Sequence, residues 1–83
     1  MAQPAVIYNK GVAITKSDTL NIVGPKPLTD AIFVGATGVM IVVWQDDTTS
    51  AFTCAVGEIV PVAAKRVNSG STTADLMVAL YQV

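Results

Sequence analysis

The sequence predicts an all-β fold, a small antiparallel β-sandwich or partly open barrel of five to seven short strands with an extended N-terminal arm. Three observations predict it. Val, Ile and Thr supply 28 of the 83 residues (13, 6 and 9), and side chains branched at Cβ fit a pleated strand better than a helix. No segment of about ten or more residues carries apolar side chains at helical spacing. Turn-forming clusters return roughly every 8 to 12 residues, the rhythm of sandwiches and small barrels.

Residues 1–30 differ in composition from the remainder of the chain and are expected to form the arm. They hold three of the five basic residues (Lys10, Lys16, Lys26), three of the four prolines (Pro4, Pro25, Pro27) and only short apolar runs such as Ala5-Val6-Ile7-Tyr8. Val12-Ala13-Ile14 suits a short strand, and Ser17-Asp18-Thr19 turns the chain because such side chains bond nearby backbone N–H groups. Gly24-Pro25-Lys26-Pro27 is an extended connector. Each proline holds the residue before it in extended geometry and has no N–H to give a ladder.

Residues 31–83 are expected to make the β-sandwich core. The stretch from Ala31 to Trp44 reads AIFVGATGVMIVVW, without a charge and broken only by Gly35-Ala36-Thr37-Gly38. Two strand-like runs joined by a short segment with glycine at both ends predict a hairpin of neighbouring strands. Val39 to Trp44 is apolar at every position, so neither face of that strand prefers water. Asp46-Asp47-Thr48 is a polar turn, and Ser50 to Cys54 returns as a third strand with Phe52 and Cys54 on one face. Ile59 to Val67 is a fourth, where Pro61 marks an edge or a bulge. Asn68-Ser69-Gly70-Ser71 turns the chain into a fifth, Asp75 to Tyr81. Leu76, Val78 and Leu80 share one face of it, and Met77, Ala79 and Tyr81 the other.

The length allows one domain. Apolar residues make up 52% of the chain and charged residues 13%, against about 25% charged in ordinary soluble domains. So small a core cannot hold all of that surface, and a lone chain seldom exposes apolar patches beyond a few hundred Å². Association with copies of itself is therefore expected. The formal net charge of -1 gives no pull toward nucleic acid or an anionic membrane, and no uncharged stretch is long enough for a spanning helix. Neither is expected as a partner. Cys54 is the one cysteine, which precludes an intrachain disulfide and fits synthesis in a reducing cytoplasm. The first residues have no basic n-region and no long apolar h-region, so a secretory signal is not expected there.

The sequence contains no histidine, which removes the commonest general base, most metal sites and every Ser–His or Cys–His nucleophile pair. Cys54 sits in an apolar strand with nothing near it to lower its pKa, and a buried structural thiol is expected. The carboxylates Asp18, Asp30, Asp46, Asp47, Glu58 and Asp75 are scattered apart from one adjacent pair, and that pair lacks the spaced oxygen ligands of a calcium loop. Gly35 to Gly38 lacks the helix and the Lys-Ser or Lys-Thr pair of a phosphate-binding loop. No enzyme activity, metal or cofactor is expected. Lys65-Arg66, the one adjacent basic pair, sends its side chains to opposite faces of a strand. Trp44 and Tyr81 are amphipathic aromatics of the kind that anchor interfaces.

Four segments carry a family likeness: Val12-Ala13-Ile14-Thr15-Lys16-Ser17-Asp18-Thr19; Thr29-Asp30-Ala31-Ile32-Phe33-Val34-Gly35; Pro61-Val62 with Lys65-Arg66-Val67-Asn68; and Thr72-Thr73 with Val78-Ala79-Leu80-Tyr81. They resemble the AVTPSD, ALYVG, PVRVKRVNATGTTA and VALY segments of the capsid spike-base and head decoration proteins of gene transfer agents and related tailed phages. The likeness runs through most of the chain. It departs at Val39 to Trp44, which is more apolar than the family pattern, and at Ala63-Ala64 before the basic pair.

The resemblance implies a non-enzymatic virion structural protein, a capsid decoration (cement) or spike-base protein on the outer surface of a phage-like head. Such a protein is made in the bacterial host cytoplasm, associates as a homotrimer or homopentamer, binds the major capsid protein and can carry a spike or fibre protein. On this reading Phe33, Met40, Val42, Trp44, Met77 and Tyr81 are the expected self-association residues, and Tyr8, Lys10, Lys16, Lys26, Lys65 and Arg66 the expected capsid contacts. Two other readings fit a small β-module: a tail or baseplate adaptor, and a carbohydrate-binding module with Trp44 or Tyr81 on an exposed platform.

Overall fold

The computed structural model describes residues 7–83, which form seven strands and no helix: β1 (Lys10–Ala13), β2 (Ala31–Phe33), β3 (Gly38–Trp44), β4 (Thr49–Cys54), β5 (Ile59–Val60), β6 (Ala64–Val67) and β7 (Val78–Tyr81). Pro4 and the Ala5-Val6 start of the first apolar run lie outside the described residues. All pairing is antiparallel, in one sheet of order β1-β7-β2-β5 and a second of order β4-β3-β6. Between them Ile32, Val34, Val60 and Met77 meet Met40, Val42, Cys54 and Val67. Each such side chain removed from water contributes about 1.5–3 kcal/mol.

Alternation along the strands decides what enters this core. In β4, Ser50, Phe52 and Cys54 lean inward while Thr49, Ala51 and Thr53 are exposed. In β7 and the residue pair before it, Met77, Ala79 and Tyr81 are buried and Leu76, Val78 and Leu80 face out. β3 sends Met40 and Val42 inward. On its other side Val39 and Ile41 bond past the end of β6 to residues 68–73: Asn68 N–H donates to the Ile41 carbonyl (2.9 Å), and Thr73 N–H to that of Val39 (2.8 Å). The Thr72 and Thr73 hydroxyls accept the Ile41 and Val39 N–H groups at 3.0 and 2.8 Å.

The stretch from Ala31 to Trp44 is not a hairpin. β2 pairs with β7 and β5, and β3 with β4 and β6, so Gly35 to Gly38 carries the chain from one sheet to the other. The glycines serve close approach and not a turn. A Cβ at Gly38 would lie 2.4 Å from the Ala74 nitrogen, and one at Gly35 2.6 Å from the Leu76 carbonyl oxygen, with Ala36 and Asp75 bridged between them. The expected fourth strand is likewise two. Pro61 cannot donate to a ladder, and at Pro61-Val62-Ala63 the chain leaves the first sheet as β5 and enters the second as β6.

Within residues 7–30, β1 is followed by irregular chain that bends at Asp18-Thr19 and over residues 24–28, where the sequence predicts an extended connector, and the segment lies along the body. Its N–H groups donate in turn to carbonyls of the core: Asn9 to Tyr81 (2.9 Å), Ile14 to Met77 (3.0 Å), Ser17 to Val67 (2.9 Å), Ile22 to Lys65 (2.9 Å), Thr29 to Ala64 (3.0 Å) and Asp30 to Leu80 (3.0 Å). The segment therefore closes the outer edge of β6. Thr29 fixes its far end from inside, where the buried hydroxyl donates to the Val62 carbonyl at 2.6 Å and accepts Ala64 N–H at 3.1 Å.

Candidate interaction surfaces

Each of the six carboxylates accepts hydrogen bonds or an ion pair from its own chain. Asp18 takes the Gly70 and Ser69 N–H groups (3.0 and 3.1 Å) and the Ser69 hydroxyl (3.0 Å), bonds that hold it below the usual carboxylate range. Asp30 takes Gln82 N–H at 2.7 Å and the Lys26 ammonium at 2.5 Å, and is lowered for the same reason. Asp46 accepts from the Thr48 hydroxyl and N–H, which lower it too. Asp47 pairs with Lys65, Glu58 accepts Ala55 N–H at 3.2 Å, and Asp75 accepts Leu76 N–H at 2.9 Å with Lys16 3.9 Å away. Carboxylates so engaged close turns and tie segments together. No group of three metal-ligating side chains occurs among the described residues. Burial raises the Cys54 thiol pKa, the opposite of activation.

The expected capsid contacts are mostly used inside the chain as well. Lys16 donates to the Ala74 carbonyl (3.3 Å), Lys26 to that of Gln82 (3.1 Å), and Arg66 to the Asn21 and Asn68 side chains (3.1 and 3.4 Å). Lys65 joins Asp47. Tyr8 is half-buried and Lys10 exposed, with no ion pair to Lys10 among the described residues.

Four of the expected self-association residues lie inside the chain's own core. Met40, Val42, Met77 and Tyr81 are 0 to 2% exposed, because they occupy the inward register of β3 and β7. A second copy cannot reach them while the sandwich is closed. Trp44 is half-buried at the rim, edge-on to Phe52 with ring centroids 6.3 Å apart, and its Nε1–H donates to the Ser50 hydroxyl at 2.8 Å. With Tyr81 enclosed under Gly24, no aromatic platform of the kind a carbohydrate-binding module needs is formed by that residue.

Phe33 alone of the six lies on a broad apolar surface. Directly opposed residues of an antiparallel pair point to the same side. Val78 opposes Ala13 and Phe33, Leu80 opposes Gly11 and Ala31, and Phe33 opposes Ile59. The outer face of the four-stranded sheet is thus Gly11, Ala13, Phe33, Ile59, Val78 and Leu80 with the covered Ala31, without one charge, where such a face is ordinarily polar. Leu76 stands at its rim, 71% exposed and at φ 53°. A left-handed backbone costs a bulky residue about 1–2 kcal/mol, and no core contact compensates it here. Parity is readable in sequence; which parity faces out is not.

No family model and no curated protein matches the chain. Among solved structures it is similar to a chain of the "capsid of native GTA particle computed with C5 symmetry", with a TM-score of 0.78 and 27% sequence identity over 89% of this chain and 83% of that one.

Proposed function

We propose that this chain is a non-enzymatic structural protein of a phage-like particle, a capsid decoration or spike-base protein that associates with itself and binds the major capsid protein on the outside of the head. The observation that carries the reading is the likeness in structure and sequence to a chain of a GTA capsid, which spans most of both chains. The uncharged outer face of the four-stranded sheet supports it, since a surface of that kind on a small domain marks a site that another protein covers. Self-association as a homotrimer or homopentamer when mounted on the particle, and attachment of a spike or fibre protein, belong to the same reading. Electron microscopy of particles carrying a tagged copy tests it. Density on the outer head surface is expected. Density confined to the tail or baseplate would assign the adaptor role in its place.

A further inference from the structure

Backbone direction in β4 alternates with the ladder. The Trp44 N–H donates to the Thr48 carbonyl at 2.8 Å, and from that bonded pair the register makes Ser50, Phe52 and Cys54 the residues that bond to β3. Thr49, Ala51 and Thr53 therefore turn both their N–H and C=O groups away from β3, and no backbone partner meets them among the described residues.

The molecule protects its other sheet edges. The outer edge of β6 is covered by residues 17–29, β5 is two residues long and runs into Pro61, and β1 carries Lys10 and Gly11. β4 is six residues long, uncharged, free of proline and regular in pairing. A bare edge of that length is a template for another strand.

Its outward residues read Thr49, Ala51, Thr53, the same in both directions. We infer that β4 docks β4 of a second copy of this chain, antiparallel about a twofold axis at Ala51. Thr49 of each copy then opposes Thr53 of the other and Ala51 opposes Ala51, each as a bonded pair exchanging two backbone hydrogen bonds. Small side chains meet on the outer face, with no like charges opposed. On the inner face the half-buried Phe52 meets Ser50 of the second copy. The result is a continuous six-stranded sheet, β6-β3-β4 joined to its twofold mate. The uncharged face lies on the other sheet and stays available to a different partner, so this contact does not rest on the particle reading.

Sedimentation of the purified chain from micromolar to near-millimolar concentration tests the inference, together with two cysteine variants under mild oxidation. Free in solution the wild type forms a dimer, and Ala51→Lys, whose side chain is exposed in the single chain, sediments as a monomer whose melting temperature equals that of the wild type at dilutions where the wild type is itself monomeric. Ala51→Cys cross-links to itself, because Cα atoms of a bonded pair lie about 5.5 Å apart. Thr53→Cys does not, since its own mate lies four residues away along the strand. A wild type that remains monomeric, an Ala51→Lys variant that keeps the wild-type mass, or equal cross-linking of the two cysteine variants overturns the inference. The second of these points to association through another surface and leaves the proposed function standing.

Discussion

The Asp18 carboxylate accepts the Gly70 amide N–H at 3.0 Å across 52 residues of sequence, pinning the N-terminal segment to the turn after β6. Asp30 does the same for Gln82 at 2.7 Å. These bonds make the fold sensitive to acid.

Asp18, Asp30 and Asp46 are all held below the ordinary carboxyl range, Asp18 chiefly by the Gly70 N–H, Asp30 by the Gln82 N–H and Asp46 by the Thr48 hydroxyl. A carboxylate whose pKa is depressed on folding stabilises the native state fully above its unfolded value, and that contribution is lost as pH falls through the folded one. The urea midpoint is therefore expected to hold from neutrality to about pH 4 and to fall below it. Asp18→Asn, with no charge to lose, shows a shallower fall at a lower starting stability.

Gly38→Ala is expected to destabilise the chain by about 1–3 kcal/mol in chemical denaturation, the usual cost of overpacking when neighbours must shift. The neighbour is the Ala74 backbone at 2.4 Å, which has no flexible end to give. Gly57 is the contrast: nothing lies within 4 Å of its Cβ position, but φ is +83°. Gly57→Asn, a residue that tolerates the left-handed region, is expected to cost less than Gly57→Val.

Thr29→Val keeps the shape of a buried side chain and removes the oxygen that joins the Val62 carbonyl to the Ala64 N–H. One unpaired buried group costs about 1–3 kcal/mol. Thr29→Ser retains the oxygen, and its denaturation midpoint is expected to lie between those of wild type and Thr29→Val.

Leu76→Gly removes the left-handed strain and is expected to stabilise the isolated chain by up to about 1 kcal/mol. The same change takes an apolar side chain from the rim of the uncharged face. Under the proposed function, occupancy on purified heads is expected to drop while the melting temperature rises or holds, a split that a purely structural role for Leu76 would not produce.

Much of the fold is legible in the sequence where local chemistry decides it. Ser50 to Cys54 alternates cleanly, Asp46-Asp47-Thr48 has the side chains of a turn, and the two faces of Asp75 to Tyr81 separate by parity. Sequence reasoning fails where a distant segment decides. Two apolar runs flanking Gly35 and Gly38 look alike whether the chain turns within a sheet or crosses between sheets, and only the passage of Ala74 to Leu76 tells them apart. Lys16 and Lys26 read as capsid contacts of an arm, and Asp18 as a residue of a local turn, until their partners, remote in sequence, are in place. On the candidate surfaces, Phe33 falls on the uncharged face, whereas Met77 and Tyr81 lie on the inward side of their strand, because alternation gives parity without sign.

The position of β7 bears on how the protein comes into being. It sits between β1 and β2, two strands that do not pair with each other, so half of the sandwich has no centre until residues 78–81 have cleared the ribosome. Until then the growing polypeptide holds Ile32, Val34 and Met40 without a lid, and sequence-distant pairing of this kind is slow. The four-stranded sheet thus forms only once residues 78–81 are available, and a nascent chain stalled before residue 78 should be the species that chaperones hold and proteases clear.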